Sequence, residues 1–223
     1  MSALAEDLVP PLRAIPTLLG ASVADLEDLR QGDVGMAGLF LDHGDAGRFG
    51  KRFAARQLRY ASAAAGISPP TGPRGRCLDL GDVNVFPLQP AMQEQALRRQ
   101  LQHVIAAGAM PIVVGGRGLP FDLGECLDRG RTVHVVGAPI IGMDASRIAL
   151  VVDLTSLVGA KAEPRGLTRL LRALIAIPAA HIGAVHLCGV APDLDVGGRH
   201  ESSLAVHVLE ALAAHLVGGA PCR

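Results

Sequence analysis

Short runs of apolar, β-branched residues alternate along this chain with longer stretches whose apolar positions recur every three or four residues. The short runs predict buried strands, and the longer stretches predict amphipathic helices. The predicted strands are 36–42, 77–86, 111–114, 132–136, 148–154 and 183–190, and the predicted helices are 51–66, 91–108, 167–177 and 201–216. Because the strands are almost continuously apolar, the pattern predicts a three-layer α/β/α fold around a mainly parallel sheet.

The pattern also outlines the domain organisation. A Pro- and Gly-rich connector at 68–76 predicts a loop, and residues 1–33 are expected to form a helical or irregular N-terminal segment. No internal repeat or low-complexity tail interrupts the alternation. The 223 residues are therefore expected to form a single domain over 1–223.

Composition narrows the function classes. Lys+Arg and Asp+Glu both number 21, and the absence of a basic block argues against nucleic-acid or membrane-surface binding. Asp144, Arg147 and Asp153 interrupt the longest apolar runs, so no membrane span is expected. The first residues lack a signal-peptide pattern, and the four cysteines form no C-x-x-C pair. These features predict a reduced, cytoplasmic protein, and the low charge favours buried subunit surfaces.

Candidate functional residues follow the predicted strands, because ligands of open parallel sheets bind beyond the carboxyl ends of the strands. The stretch PIVVGGRGLP at 111–120 ends a strand in Gly-Gly and presents Arg117 and Gly118. The other positions after strands are Asp42, His43, Asp82, 137–141, 153–158 and 189–195.

Five segments, in order along the chain, resemble the ureohydrolases, the family of arginase, agmatinase and their relatives. They are GLFLDHGDAGRFGKRFAARQLRYAS, DLGDV, MPIVVGG, VVDLTSLVGAKAEPRGLT and CGVAPDLD followed by a long Ala/Leu helix. The resemblance covers most of residues 35–216 and implies an arginase-like fold. It also implies assembly as a trimer or hexamer, since family members usually associate in this way.

The chemistry implied by this resemblance is metal-assisted hydrolysis of a guanidinium group. In the family, two manganese ions share a hydroxide that attacks the guanidinium carbon. The two cations lower the pKa of the shared water, and carboxylates and imidazoles hold them. The family draws these ligands from Gly-Gly-Asp-His, Asp-Ala-His-x-Asp and Asp-x-Asp segments.

Carried over position by position, most of these ligands are missing here. The Gly-Gly-Asp-His segment reads Gly-Gly-Arg117-Gly118, and Asp-Ala-His-x-Asp falls on or near Gly137, Pro139 and Ile141. None of these side chains binds a metal ion. The sequence therefore predicts that the binuclear site has been lost and that no metal or other cofactor is bound.

A few family positions keep polar residues. Asp153 matches the first aspartate of Asp-x-Asp, but Thr155 replaces the second. Gly189 replaces a glutamate that the family uses near its substrate, and Glu163 matches the acidic position before Gly-Leu-Thr. The pocket candidates are Asp42, His43, Arg117, Asp153, Thr155, Glu163 and Asp195, with no catalytic role assigned to any of them.

Several of these residues also have a structural interpretation. We expect Arg117 to pair with Asp153 and fill the vacated metal position, although it could instead bind an anion. Asp153 is either a pocket carboxylate or a structural residue that caps a loop. Asp195 lies either in a substrate loop or in a surface turn. Asp79 and Asp82 match structural positions of the family, so no chemistry is expected of them.

The histidines of the predicted strands have two interpretations. His134 is expected to be a hydrogen-bonded core histidine. A less favoured hypothesis is a soft-metal site formed by His181, His186 and Cys188, since the last two alternate on one face of a strand.

Three functions are consistent with this sequence. The favoured one is a non-catalytic pseudoenzyme that acts as a subunit, scaffold or regulator, as a homo-oligomer or mixed with an active relative. The second is a metal-independent hydrolase or transferase for a small amine, amide or guanidino compound, with Arg117, Asp153, Glu163 and His43 lining its pocket. The third is a small-molecule sensor.

Overall fold

The computed structural model describes nine ranges of the chain. They are residues 16–40, 53–83, 89–116, 119, 121–127, 130–135, 147–157, 164–190 and 200–218. Almost every predicted strand and helix falls wholly or largely within these ranges.

Eight strands within the described residues form one sheet. They are β1 (Ser22–Val23), β2 (Val34–Gly38), β3 (Thr71–Gly72), β4 (Gly75–Asp82), β5 (Met110–Val114), β6 (Arg131–Val135), β7 (Ile148–Asp153) and β8 (Ile182–Cys188). The order is β1-β4-β2-β5-β8-β7-β6, and all pairs along it are parallel. The short β3 lies off this path and pairs antiparallel with β4. The predicted parallel sheet is confirmed.

Helices pack on both faces of this sheet. They are α1 (Ala54–Ala64), α2 (Pro90–Ala106), α3 (Pro164–Ile175) and α4 (His200–Val217). Apolar residues of α1, α3 and α4 share a core with alternate residues of the sheet, such as Met36, Ile112 and Leu150. On the other face, Leu97 and Leu101 of α2 pack with the intervening strand residues. The three-layer α/β/α architecture therefore follows the sequence prediction. None of the described helices combines the length and apolarity needed to cross a bilayer.

Element boundaries differ from the predicted ones where local geometry overrides the apolar pattern. The strand predicted at 36–42 is observed as β2 over Val34–Gly38. The predicted loop 68–76 contains β3 and the start of β4. Helix α3 begins at Pro164, three residues before the predicted start, because proline suits the first turn of a helix.

A buried ion network joins α1 to β4. Arg59 donates to both carboxylate oxygens of Asp79 at 2.9 Å and to Oδ1 of Asp82 at 2.7 Å. Burial alone would lower the pKa of Arg59, but hydrogen bonds and charge from Asp79 and Asp82 raise it above its ordinary value. Asp79 also accepts from the backbone N–H groups of Leu18 at 2.8 Å and Gly81 at 2.9 Å. The network gives Asp79 and Asp82 structural roles.

Candidate functional site

The central carboxyl edge of the sheet brings together the ends of β5, β8 and β7. Asp153 at the end of β7 lies opposite Cys188 of β8 in register. The Gly115 N–H donates to the Leu187 carbonyl at 3.0 Å, and the Gly189 N–H donates to the Gly116 carbonyl at 3.1 Å. The glycine turn after β5 and the start of the loop after β8 are thus fixed to each other beside Asp153.

Two of the glycines at this edge have no space for a side chain. Gly115 has φ of 118°, and an added Cβ would lie 2.6 Å from the Leu39 carbonyl oxygen. Gly189 has φ of 86°, and an added Cβ would clash with Oδ1 of Asp153 and lie 2.6 Å from Oγ1 of Thr155. Neighbouring atoms therefore occupy the space in which side chains would have to stand.

Asp153 and Thr155 are the two pocket candidates that the structure places together. The Thr155 N–H donates to Oδ1 of Asp153 at 2.8 Å, which is the hydrogen bond of an Asx turn. The Thr155 hydroxyl is buried and has no hydrogen-bond partner in the described part of the chain. Asp153 thus stabilises the turn after β7. Gly189, which follows β8, lies directly beside this turn.

The other pocket candidates lie outside the described residues. They are Asp42, His43, Arg117, Glu163 and Asp195. The positions 137–141 of the second metal segment also lie there. The expected pairing of Arg117 with Asp153 therefore stays a prediction.

His186 lies on β8 and is buried, with 1% of its surface exposed. Its Nε2 lies 2.8 Å from the Gly115 carbonyl, so this nitrogen carries the proton, because a carbonyl can only accept. Nδ1 of His186 is buried and has no hydrogen-bond partner among the described residues. Burial lowers the pKa of His186 to about 4, against the opposing effects of the Gly115 carbonyl and the charge of Asp153.

The structure contradicts the soft-metal hypothesis for His181, His186 and Cys188. His181 precedes β8 at the amino edge of the sheet, whereas His186 lies near its carboxyl end. Five residues of extended strand separate two side chains by about 16 Å, too far for one ion. No group of three His, Cys, Asp or Glu side chains within the described ranges could hold a metal ion.

The expectation that His134 is a core histidine is also wrong. His134 is exposed because β6 is the edge strand of the described sheet, paired there with β7. Its side chain borders a cavity of about 380 Å³ on the face of the sheet that carries α2. The cavity is lined by Leu119, Phe121, Asp122, Leu123, Thr132, His134, Val151 and His186.

Asp122 and Thr132 form the polar wall of this cavity. Asp122 precedes the short 3-10 turn Leu123–Cys126, and its Oδ1 accepts from the Gly124 N–H at 2.8 Å and from the Thr132 hydroxyl. The hydrogen bond from Thr132, followed by that from Gly124, lowers the pKa of Asp122 below its ordinary value. Asp122 is therefore ionised at neutral pH. Neither residue was predicted from the sequence, although Asp-Leu-Gly is a recognisable turn signal.

Acidification is expected to destabilise the fold through His186. The folded state holds this histidine neutral with a pKa of about 4, whereas the unfolded chain has the ordinary value of 6.5. The unfolded state therefore binds more protons below pH 6.5, and stability falls as the pH drops from there toward 4. Between about pH 7.5 and pH 5 we expect a loss of about 2 kcal/mol in unfolding free energy, measured by urea denaturation.

The matched control for this prediction is His186→Gln. The glutamine amide can still donate to the Gly115 carbonyl but does not titrate. Subtracting its pH profile from that of the native chain removes the effect of the other histidines. Parallel profiles for the two chains would contradict the assignment to His186.

Comparison with known proteins shows what this arrangement resembles. Residues 32–118 match the model of the Arginase family. A stretch of 91 residues is 35% identical to the mitochondrial guanidino acid hydrolase of Rattus norvegicus, covering 38% of this chain and 25% of that protein. The chain thus aligns with about a quarter of the length of that relative.

Solved structures share the fold over nearly the whole chain. Proclavaminate amidino hydrolase from Streptomyces clavuligerus is 16% identical with a TM-score of 0.65, covering 94% of this chain and 99% of its own. A variant of Trypanosoma cruzi formiminoglutamase, whose structure is described with Mn²⁺, is 13% identical with a TM-score of 0.64, covering 92% and 99%. At these identities the likeness concerns the fold.

Proposed function

We propose that this chain, which belongs to the ureohydrolase superfamily, is a non-catalytic member that acts as a subunit, scaffold or regulator. The observation that carries the proposal is the packing at the ends of β5, β7 and β8, where Gly115 and Gly189 have no space for a side chain. There the described residues contribute glycine backbone and one carboxylate, Asp153, whose Oδ1 is held by the Thr155 N–H.

The described residues do not fit a pair of bridged metal ions. Two divalent cations need several carboxylate and imidazole ligands, and no group of three such side chains in the described ranges could hold even one ion. The sequence extends this argument to positions outside those ranges, because Gly118, Gly137, Pro139 and Ile141 carry no metal ligand. Asp153 alone cannot balance the charge of two cations.

The lack of space for a side chain at position 189 is a second, separate argument for the proposal. The resemblance puts a glutamate near the substrate at this position. Here an added Cβ would lie 2.7 Å from the Thr155 backbone nitrogen as well as against Asp153. A longer side chain could enter only if the turn after β7 moved, so the present backbone is incompatible with the family residue.

The metal-independent hydrolase or transferase has less support. Of its four expected pocket residues, the described part of the chain contains only Asp153. The Thr155 hydroxyl is a candidate nucleophile beside Asp153, but within the described residues it forms no hydrogen bond to a histidine or other base. A hydroxyl without a base is a weak nucleophile at neutral pH.

Metal content tests the proposal. We expect less than about a tenth of a manganese, nickel or zinc ion per chain in protein purified without chelators, because too few ligands converge to hold one. Elemental mass spectrometry gives the ratio. A manganese-containing formiminoglutamase, purified in the same buffers, is the positive control.

A ratio near one or two ions per chain would overturn the proposal. It would mean that residues outside the described ranges rebuild a site, and variants of Asp153 would then be examined first. If the protein is metal-free, tagged chain should be used to capture a partner, since the proposal includes a trimer or hexamer, or a mixed oligomer with an active relative.

The proposal also places the protein in the cytoplasm, on the basis of its scattered cysteines. The name of the rat relative carries a mitochondrial location for that protein. Fractionation of cells that express the native chain would distinguish the two compartments.

A further inference from the structure

A cavity of about 380 Å³ is lined by residues of β6, β7 and β8 and by residues 119 and 121–123. Its floor is a row of neighbouring strand residues, because His134 pairs in register with Val151, and Val151 pairs with His186. Helix α2 packs on the same face, in a core that includes residues of β2, β5, β7 and β8 together with Leu119, Phe121 and Leu123.

We propose that this cavity binds a small organic ammonium ion, with its charged nitrogen against Asp122 and His186 and its apolar body against the surrounding carbon side chains. This inference goes beyond the proposed function, because it concerns a site that does not use the family's metal positions. It gives the non-catalytic protein a ligand to which it could respond.

The polar groups of the cavity select the charge of the ligand. Asp122 is ionised, and the Thr132 hydroxyl donates its proton to Oδ1 of Asp122. The cavity therefore presents an exposed, negative carboxylate whose hydrogen-bond donors are neutral. His134 also lines the cavity and makes the smallest contribution to the lowered pKa of Asp122. An anion would be repelled here, and a cation would be attracted.

His186 supplies the second acceptor. Its Nε2–H is used by the Gly115 carbonyl, so Nδ1 carries a lone pair and no proton. This atom is buried without a partner in the described part of the chain, which is an unfavourable state for a polar atom. Asp122 and His186 both line the cavity. A primary ammonium has several N–H donors, which is the ligand chemistry that these two acceptors call for.

Apart from His134, the other described residues of the wall are apolar. Leu119, Phe121, Leu123 and Val151 provide aliphatic and aromatic surface. An organic ammonium ion needs hydrogen-bond acceptors for its charged nitrogen and apolar contacts for its hydrocarbon substituent. The volume of the cavity is large enough for an aromatic ring with a short aminoalkyl substituent.

A neighbouring cation, Arg98, does not oppose a positively charged ligand. Its guanidinium lies 3.9 Å from the centre of the Phe121 ring. Glu94 and Glu125 each pair with Arg98 at 2.9 Å. Two carboxylates therefore balance the charge of this arginine.

A metal ion is a poorer occupant of the same cavity. Asp122, His134 and His186 include the residue types that zinc prefers. Within the described structure, however, no three such side chains converge on one point. A divalent ion would lack ligands where an ammonium ion would be satisfied.

The test uses benzylamine as the probe, which is protonated at neutral pH. Benzyl alcohol and benzoate have similar bodies with a neutral or a negative head. We expect saturable binding of benzylamine by calorimetry and by amide shifts in NMR spectra, with the alcohol at least about tenfold weaker and benzoate not bound.

Three variants locate the site. Asp122→Asn keeps an oxygen for Gly124 and Thr132 but removes the charge, and should weaken benzylamine at least about tenfold. His186→Gln keeps a donor for Gly115 but removes the Nδ1 lone pair, and should weaken it about threefold or more. Glu125→Gln removes one negative charge from an exposed neighbour outside the cavity and should change affinity less than about twofold.

The outcomes are distinct from those for the proposed function. Equal binding of benzylamine and benzoate, or unchanged affinity in folded Asp122→Asn, would overturn the ammonium site. The absence of saturable binding at millimolar benzylamine would do the same. None of these results depends on the metal content of the protein. Conversely, a chain that contains metal and still binds benzylamine through Asp122 would refute the proposed function but not the ammonium site.

Discussion

Asp79→Asn is expected to lower the free energy of unfolding by about 3–5 kcal/mol, because it removes one partner of a buried charge pair. Asp79 is 1% exposed and accepts hydrogen bonds from Arg59, twice, and from the backbone N–H groups of Leu18 and Gly81. An asparagine amide nitrogen would face at least one of these donors. Arg59 would then be left buried without its main counter-charge. Urea denaturation followed by circular dichroism measures the loss.

Asp82→Asn is the matched control. Asp82 pairs with the same arginine, but its side chain is 34% exposed, so water can replace the lost contact. We expect a loss of less than about 1 kcal/mol. If the two variants lose equally little, then the network does not anchor α1 to β4, and the structural interpretation of Asp79 is wrong.

The fold could be predicted because its signals are local. β-branched runs such as 148–154 are typical of buried strands, and Gly108 is placed where a glycine ends a helix. The Gly108 φ of 73° confirms the last point. The two-residue β1 could not be predicted, because it is defined by pairing with Leu78 and Asp79 rather than by its own pattern.

The candidate site was predictable only in part. Asp153 and Thr155 were found because they follow a strand, and the structure does bring them together beside Gly189. The loop-capping role of Asp153 was one of two interpretations that the sequence left open, because an Asx turn depends on the conformation of the two residues that follow. Sequence alone shows that position 189 is a glycine, but not that atoms of Asp153 and Thr155 occupy the space around it.

The second cavity was missed because it depends on three-dimensional neighbours. His134 and His186 are far apart in sequence, and they face one cavity only because β7 lies between their strands. Alternation in VHV predicts which face of β6 the histidine occupies, but not whether a helix covers that face. Whether a strand lies at the edge of the sheet, and whether a helix packs on its face, depend on the order of the strands.

Gly189→Ala is expected to destabilise the protein by about 3–4 kcal/mol, which combines backbone strain with a steric clash. The backbone has φ of 86°, and the new Cβ would clash with Oδ1 of Asp153 and lie 2.7 Å from the Thr155 nitrogen. Relief requires the Asx turn after β7 to open. Chemical denaturation gives the free energy, and NMR shifts at Thr155 report the turn.

Gly81→Ala separates the two contributions. Gly81 has a similar φ of 73°, but an added Cβ there meets no atom within 4 Å in the described structure. This control should therefore cost only the strain of a left-handed residue, about 1–2 kcal/mol. The excess in Gly189→Ala measures how firmly neighbouring atoms occupy the position where the family carries glutamate. Equal losses in the two variants would mean that the turn yields easily, and a side chain at position 189 could then enter the edge. In that case the packing around Gly189 would no longer argue against chemistry at this site.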